Sequence, residues 1–254
     1  MKITGRLTKS VLTATSTPTN FLGNSNPYEY LYESLARSLP PENAIGGGDF
    51  QLIGKMLLSV LVDSGLKPNN SLFDLGCGTG RLSIQAIEYL DTEKYFGSDI
   101  SETMLVHARN VTSHLDKKST FIHQTEPTFE KFPIFDFICA FSVFTHMEPE
   151  DTFNYLKSAL AISGPNTRFV LSVIPLQSKL GSHIFTNSAS LDLVKRWEGV
   201  RNVATTIDFF QEMARLSGWR LISSYDGESE TIPLMNSSSF GQLGQTVLVL
   251  EPDK

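Results

Sequence analysis

Apolar positions along this chain follow two periods in turn, and the alternation spells out strands separated by helices. Short, mostly apolar runs of five to seven residues occur at Ser71–Leu75, Tyr95–Ile100, Ser119–His123, Phe135–Ala140 and Arg168–Ile174. Runs of this kind suit the strands of a parallel sheet covered on both faces. Helical spacing fills the intervals. Leu82, Ile84, Ala86, Ile87 and Leu90 follow the first run, and Ser101 caps a helix over 102–113 after the second. Pro149 opens a helix after the fourth, with Glu150 and Asp151 in its first turn, where acids complement the dipole, and Phe153, Leu156, Ala159 and Leu160 as its stripe. Thr205–Ser217 reads as a further helix, with Ile207, Phe210, Met213, Ala214 and Leu216 apolar and Gly218 ending it. Trp219–Tyr225 and Gln245–Leu250 close the series as two strands.

Two helices precede the first strand. Asn26 caps one that begins at Pro27 and lines Tyr28, Leu31, Tyr32, Leu35 and Leu39 on one face; Pro40 and Pro41 stop it. Asp49 caps the other, whose apolar set is Leu52, Ile53, Met56, Leu57, Val60 and Leu61. The stretch 176–204 is mixed and weakly periodic, and 226–244 is polar and Ser-rich. No internal repeat and no second domain stand out. The expected organisation is a flexible tail over 1–25 and one α/β domain over 26–254. Within it, 26–66 supplies the N-terminal helices and 176–204 a substrate-side insertion.

The chemistry gathers at the end of the first strand, in Phe73-Asp74-Leu75-Gly76-Cys77-Gly78-Thr79-Gly80-Arg81. Three glycines in alternation remove β-carbons and permit positive φ, so a ligand can lie against bare peptide at a helix N-terminus. The dinucleotide fingerprint would place a glycine where Arg81 stands. Instead Asp74 precedes the loop and Asp99 closes the next strand. Asp-x-Gly-x-Gly-x-Gly with an acid at the second strand end resembles the Rossmann-like, class I methyltransferases that use S-adenosylmethionine (SAM). The segment Gly46-Gly47-Gly48-Asp49-Phe50 resembles a small-molecule group among them. The resemblance covers roughly 49–251 and implies a seven-stranded, mostly parallel sheet with an antiparallel last strand. The closing strand pair agrees with it, and a plain dinucleotide fold does not end that way.

What the resemblance implies for the site can be carried over residue by residue. Asp99 would accept the ribose hydroxyls, and Gly76, Cys77, Gly78 and Gly80 would let the cofactor approach. Asp74 would organise the loop's amides and the amino end of SAM. Ile100 would pack on the adenine, and Gln124 or Thr125 would meet its edge, since the acid many relatives carry there is absent or displaced to Glu126. Ala140 or Phe141 would offer a carbonyl to the methionine ammonium. His146, just past the fourth strand, is the candidate general base, because a histidine titrates near neutrality; His183 is a weaker candidate. Arg81 reads as a surface salt-bridge residue. Phe141-Ser142-Val143-Phe144 replaces the Asn/Asp-Pro-Pro-aromatic segment typical of methyltransferases acting on base amines.

Composition narrows the acceptor. Acids outnumber bases 27 to 21, and no dense basic stretch offers an electrostatic footprint for nucleic acid. The expected acceptor is a small molecule, methylated on oxygen or nitrogen, with specificity in 176–204, where His183, Arg196, Trp197 and Arg201 lie. Cys77 and Cys139 have no metal spacing and read as reduced thiols of a cytoplasmic protein; no metal site is expected. No apolar run reaches the ~20 residues of a membrane helix. Lys2, Arg6 and Lys9 in a Ser/Thr-rich, acid-free start leave an organelle-targeting segment as the alternative to a solvated tail. Two other functions remain open at this point: a SAM-binding subunit without catalysis, and an NAD-dependent enzyme on a similar fold.

Overall fold

The structure, a computed structural model, describes residues 26–196, 199–235 and 240–253. Expectations for the 1–25 tail and for Trp197 lie outside these residues. Three helices lead in: α1 (Pro27–Ser38), the short α2 (Pro41–Ala44) and α3 (Phe50–Asp63). Strand–helix alternation follows through β1 (Leu72–Leu75), α4 (Arg81–Tyr89), β2 (Tyr95–Asp99), α5 (Glu102–Thr112), β3 (Thr120–His123), β4 (Phe135–Ala140), α6 (Pro149–Ala159) and β5 (Ser163–Pro175). The chain then forms α7 (Lys179–Ala189), α8 (Leu193–Arg196), β6 (Ala204–Thr205), α9 (Ile207–Leu216) and β7 (Trp219–Tyr225). It ends with β8 (Ile232–Pro233), β9 (Phe240–Gly241) and β10 (Thr246–Pro252).

The main path of the sheet runs β3-β2-β1-β4-β5-β10-β7. The first five strands are mutually parallel, and β10 is antiparallel to both β5 and β7. This is the seven-strand class I methyltransferase topology with its reversed last strand. The two-residue β6 pairs with the end of β5, off that path.

Side-chain alternation distributes two cores. Phe73, Ile138, Phe169, Leu171 and Leu248 face α6 and α9, where Leu156, Phe210 and Ala214 are buried. Trp219 is fully buried there; its indole N–H donates to the Leu156 carbonyl at 2.7 Å and its ring meets Phe169 edge-on. Leu72, Phe137, Cys139, Val170 and Val249 face the other way, toward Leu58 and Leu61 of α3 and Leu82, Ala86 and Ile87 of α4. Gly80, at φ 94, ends the loop after β1; a β-carbon there would fall 2.8 Å from Val111 and 3.0 Å from the Ala108 backbone, so α4 and α5 close together only over glycine.

Three departures from the sequence-based expectation stand out. β5 starts five residues earlier than Arg168. The 176–204 stretch is not irregular but contains α7, capped by Ser178, whose side chain accepts from the Gly181 amide. The 226–244 stretch carries the β8–β9 hairpin, with Ile232 and Leu234 buried and the Met235 amide bonded to Ser59 of α3.

Candidate active site

The loop after β1 is clamped onto the end of β2. The amides of Gly76 and Cys77 both donate to the Ser98 carbonyl, at 2.8 and 2.9 Å, and the Gly78 amide donates to Asp99 at 2.8 Å. Gly76 takes φ 72, and the place of its missing β-carbon lies 2.5 Å from the Val143 side chain. The loops after β1 and β4 can therefore touch only because this residue has no side chain.

Asp99 is buried and takes the Ser101 amide on its second oxygen at 2.9 Å. Burial pushes its carboxyl up to about 6, against the pull of the Ser101, Gly78 and Ile100 amides and of His123. Asp74 is also buried, but strand alternation puts it on the Leu72 face. Its carboxylate takes the Tyr95 hydroxyl at 2.6 Å and the Cys139 thiol at 3.3 Å. None of its described hydrogen bonds comes from a loop amide, so the role expected of Asp74 in ordering those amides passes to Ser98 and Asp99. Burial raises the Asp74 carboxyl to about 6 as well, opposed by Tyr95 and Cys139.

A roof covers this strand end. The Asn26 side chain donates through Nδ2 to the Thr125 carbonyl at 2.5 Å. The Tyr28 hydroxyl donates to Asp151 at 2.6 Å and accepts the Glu148 amide at 3.1 Å, tying α1 to the start of α6. Glu33 receives the hydroxyls of Ser101 and Thr103 at the start of α5. Burial alone would raise its carboxyl, but these bonds and Arg37 lower it to about 2. Arg81 is no surface ion-pair residue. Its guanidinium donates to the carbonyls of Ile45 and Gly47 at 3.2 and 2.9 Å and lies over the Phe50 ring, holding the α2–α3 connection down beside the glycine loop.

The buried polar atoms that have no partner among the described residues include the Tyr32 hydroxyl, Gln124 Oε1, Thr145 Oγ1, Ser98 Oγ and Arg81 Nε. Such orphans are uncommon and call for a reason. Asp99 adds a two-oxygen acceptor next to them. The Asp99 carboxylate and Gln124 Oε1 are acceptors of the kind that the hydroxyls and exocyclic amine of a nucleoside require. Gln124 is fixed by its own amide bond to the Asp99 carbonyl and by Nε2 donating to Thr128. Ile100 lies at the same corner, its carbonyl bonded to His123. Ala140 is buried at the tip of β4, and Phe141 is half-buried beyond it. Ser142 follows at φ 57, a left-handed conformation rare outside glycine, held by Ser172 and Gln245. That bend turns the Phe141–Met147 segment back over the strand end.

Residues 73–169 match the family model described as a methyltransferase domain. Over those residues the chain carries a SAM-dependent methyltransferase domain. Solved structures agree in fold. Magnesium protoporphyrin IX methyltransferase (ChlM) from Synechocystis PCC 6803, solved with bound SAH, is 19% identical with a TM-score of 0.56, over 80% of this chain and 83% of that one. The CcbJ methyltransferase from Streptomyces caelestis is 14% identical with a TM-score of 0.58, over 91% and 100%. A SAM-dependent methyltransferase from Clostridium acetobutylicum is 14% identical with a TM-score of 0.58, over 82% and 93%. SAM is thus the cofactor of this methyltransferase domain, and the NAD alternative falls.

His146 stands in the segment after β4. Its Nδ1 lies 2.9 Å from the Arg201 carbonyl and its ring centroid 6.2 Å from that of Tyr32. Burial lowers its pKa below the ordinary value, opposed by the Arg201 bond. His183 is exposed on α7 and paired with Asn187. Sequence reasoning assigned Tyr32 to an aromatic face that packs on the domain or closes over SAM, and missed its hydroxyl and the carbonyl-binding role of Arg81. The i, i+4 spacing of Tyr28 and Tyr32 is the available signal: two hydroxyls on an otherwise apolar stripe. Among the described residues no helix is long and apolar enough to cross a membrane, and no cluster of metal-binding side chains occurs.

Proposed function

We propose that this methyltransferase acts on a small molecule, methylating a hydroxyl or amino group whose proton passes to His146. The tautomer of His146 carries the proposal. A carbonyl only accepts, so the Arg201 contact requires the ring proton on Nδ1 and leaves the lone pair on Nε2. A lowered pKa keeps that ring neutral at pH 7, ready to accept a proton. SAM supplies a methyl group already activated by its sulfonium. The chain's part is to hold donor and acceptor in line, to exclude water with α1, and to take the proton. In this reading Asp99 meets the ribose, Gln124 or Thr125 and Ile100 the adenine, the loop over Gly76–Gly80 the tail, and Ala140 or Phe141 the ammonium. The N-terminal helices and 176–204 work as parts of one unit with the sheet. A net charge of −6 supports a small acceptor over a polyanion.

Metabolite profiling with labelled SAM and the purified protein tests the acceptor class. His146→Gln tests the base: turnover should fall about 100-fold or more, within the usual range for a general base, with SAH affinity unchanged. Full turnover in that variant would return His146 to a structural role.

A further inference from the structure

Beside the His146 segment lies an open-mouthed cavity of about 250 Å³, lined by residues of α7, α8 and the loop over 199–202. Its wall is mixed. Ile184, Leu191 and Val200 are apolar, Asn187, Ser188 and Asn202 are neutral and polar, and Lys195, Arg196 and Arg201 are basic, the last paired with Glu148. We propose that this cavity anchors the methyl acceptor, and that the acceptor is a small amphipathic anion: an apolar body bearing a carboxylate or phosphate. The inference rests on the acceptor being a small molecule that reacts beside His146.

Four observations support it. First, the cavity is joined to the reacting position by the backbone. Arg201 lines the cavity and meets His146 Nδ1 with its carbonyl while its guanidinium pairs with Glu148, and the Val203 amide donates to the Thr145 carbonyl at 2.7 Å. A molecule seated in the cavity lies one loop away from the base. Second, charge is concentrated against the trend of the chain. Residues 176–204 hold four basic and two acidic residues, in a chain where acids lead 27 to 21. Third, the Arg196 guanidinium is oriented. Its Nε donates to the Leu191 carbonyl at 3.1 Å, which fixes the plane of a group whose forked edge matches carboxylate and phosphate oxygens. The partner of Lys195, Asp192, is 3.6 Å away with both side chains 60% exposed, a weak pair that a ligand anion displaces readily. Fourth, apolar side chains stand in water around the same segment. Leu191, Val194 and Val200 are 40–50% exposed, which folding alone does not require and an apolar ligand body would cover. The volume falls just below the ~300–1,000 Å³ usual for small-molecule sites, so the cavity takes one end of the acceptor and leaves the other for His146.

Calorimetry on the full chain with SAH present tests this, using three probes of one shape: 1-naphthoate, 1-naphthyl phosphate and neutral 1-naphthamide. Both anions should bind about tenfold or more tightly than the amide, the scale of one charge-assisted hydrogen bond. The double variant K195Q/R196Q should erase that preference. V200W, which fills the cavity, should weaken all three probes while the SAH-induced rise in Tm stays; I184A serves in its place if V200W does not fold. Equal binding of amide and anions, an anion preference that survives K195Q/R196Q, or no binding by any probe would overturn the proposal. Failure of the methyl-transfer reading has a different signature: no turnover of any labelled acceptor, with the anion preference intact.

Discussion

Asp99 offers the sharpest test of the cofactor site, because its burial and its function pull its proton in opposite directions. In the free protein burial holds the carboxyl at about 6, even with the Gly78 and Ser101 amides donating to it. Ribose hydroxyls donate to the ionised form, so bound SAH lowers that pKa. A return to the ordinary value of about 4 is a shift of roughly two units, or about 2.7 kcal/mol. Affinity should then be nearly flat above pH 7 and fall about tenfold between pH 7 and pH 5, by proton linkage. Calorimetric titration with SAH from pH 5 to 8 reads this directly. Asp99→Asn should bind weakly at every pH and lose the slope. Asp74 titrates in the same range and faces Asp99, Tyr95 and Cys139, so Asp74→Asn is the control and should keep most of the slope. Affinity independent of pH in the wild type, or a slope that survives Asp99→Asn, would refute the ribose assignment. The share of the free protein's stability that Asp74 and Asp99 supply should move the opposite way. Both carboxyls have folded-state pKa values raised above the unfolded ones. Their contribution is therefore complete below about pH 4 and lost as pH rises through about 6.

The lowered pKa of His146 predicts that kcat falls only as pH drops below the ordinary histidine range, because protonation removes the base. An acid limb at or above that range would contradict the burial argument. Tyr32→Phe removes a buried hydroxyl that has no partner among the described residues, so the unliganded Tm should stay the same or rise. SAM affinity or kcat should fall by about three- to tenfold, as when one neutral hydrogen bond is lost; an unaltered kcat and KM with unchanged SAM affinity would show that the hydroxyl meets nothing in the complex. Arg81→Met should free the carbonyls of Ile45 and Gly47 and raise hydrogen exchange across 41–48, while β1 and β4 stay protected. Uniform exchange relative to wild type would show that Arg81 does not hold the connection.

How far the sequence could be read follows from which forces act locally. β1, β2 and β4 announce themselves because a strand covered on both faces is mostly apolar, and Gly80 because the α4–α5 approach excludes a β-carbon. α7 was hidden for the converse reason. Gly181 is its one buried residue, so no apolar stripe marks it, and its cap Ser178 was the only local sign. The β8–β9 hairpin was hidden by its polar surroundings, since Ile232 finds its core with α3, far away in sequence. The same division runs through the site. The acid at the end of β2 and the histidine beyond β4 sit where topology fixes strand ends, and both were legible. Side-chain direction was legible in principle for Asp74 too: a period of two places it with Leu72, facing Tyr95 and Cys139, rather than up into the loop. Arg81 and Tyr32 were not legible, because their surroundings come from segments that meet only after folding. The Arg81 carbonyls lie 34 and 36 residues earlier in the chain, and the Tyr32 ring meets His146 across the crevice. A charged or hydroxyl-bearing side chain states what it can bond; only the closing of the roof over the strand ends decides with what.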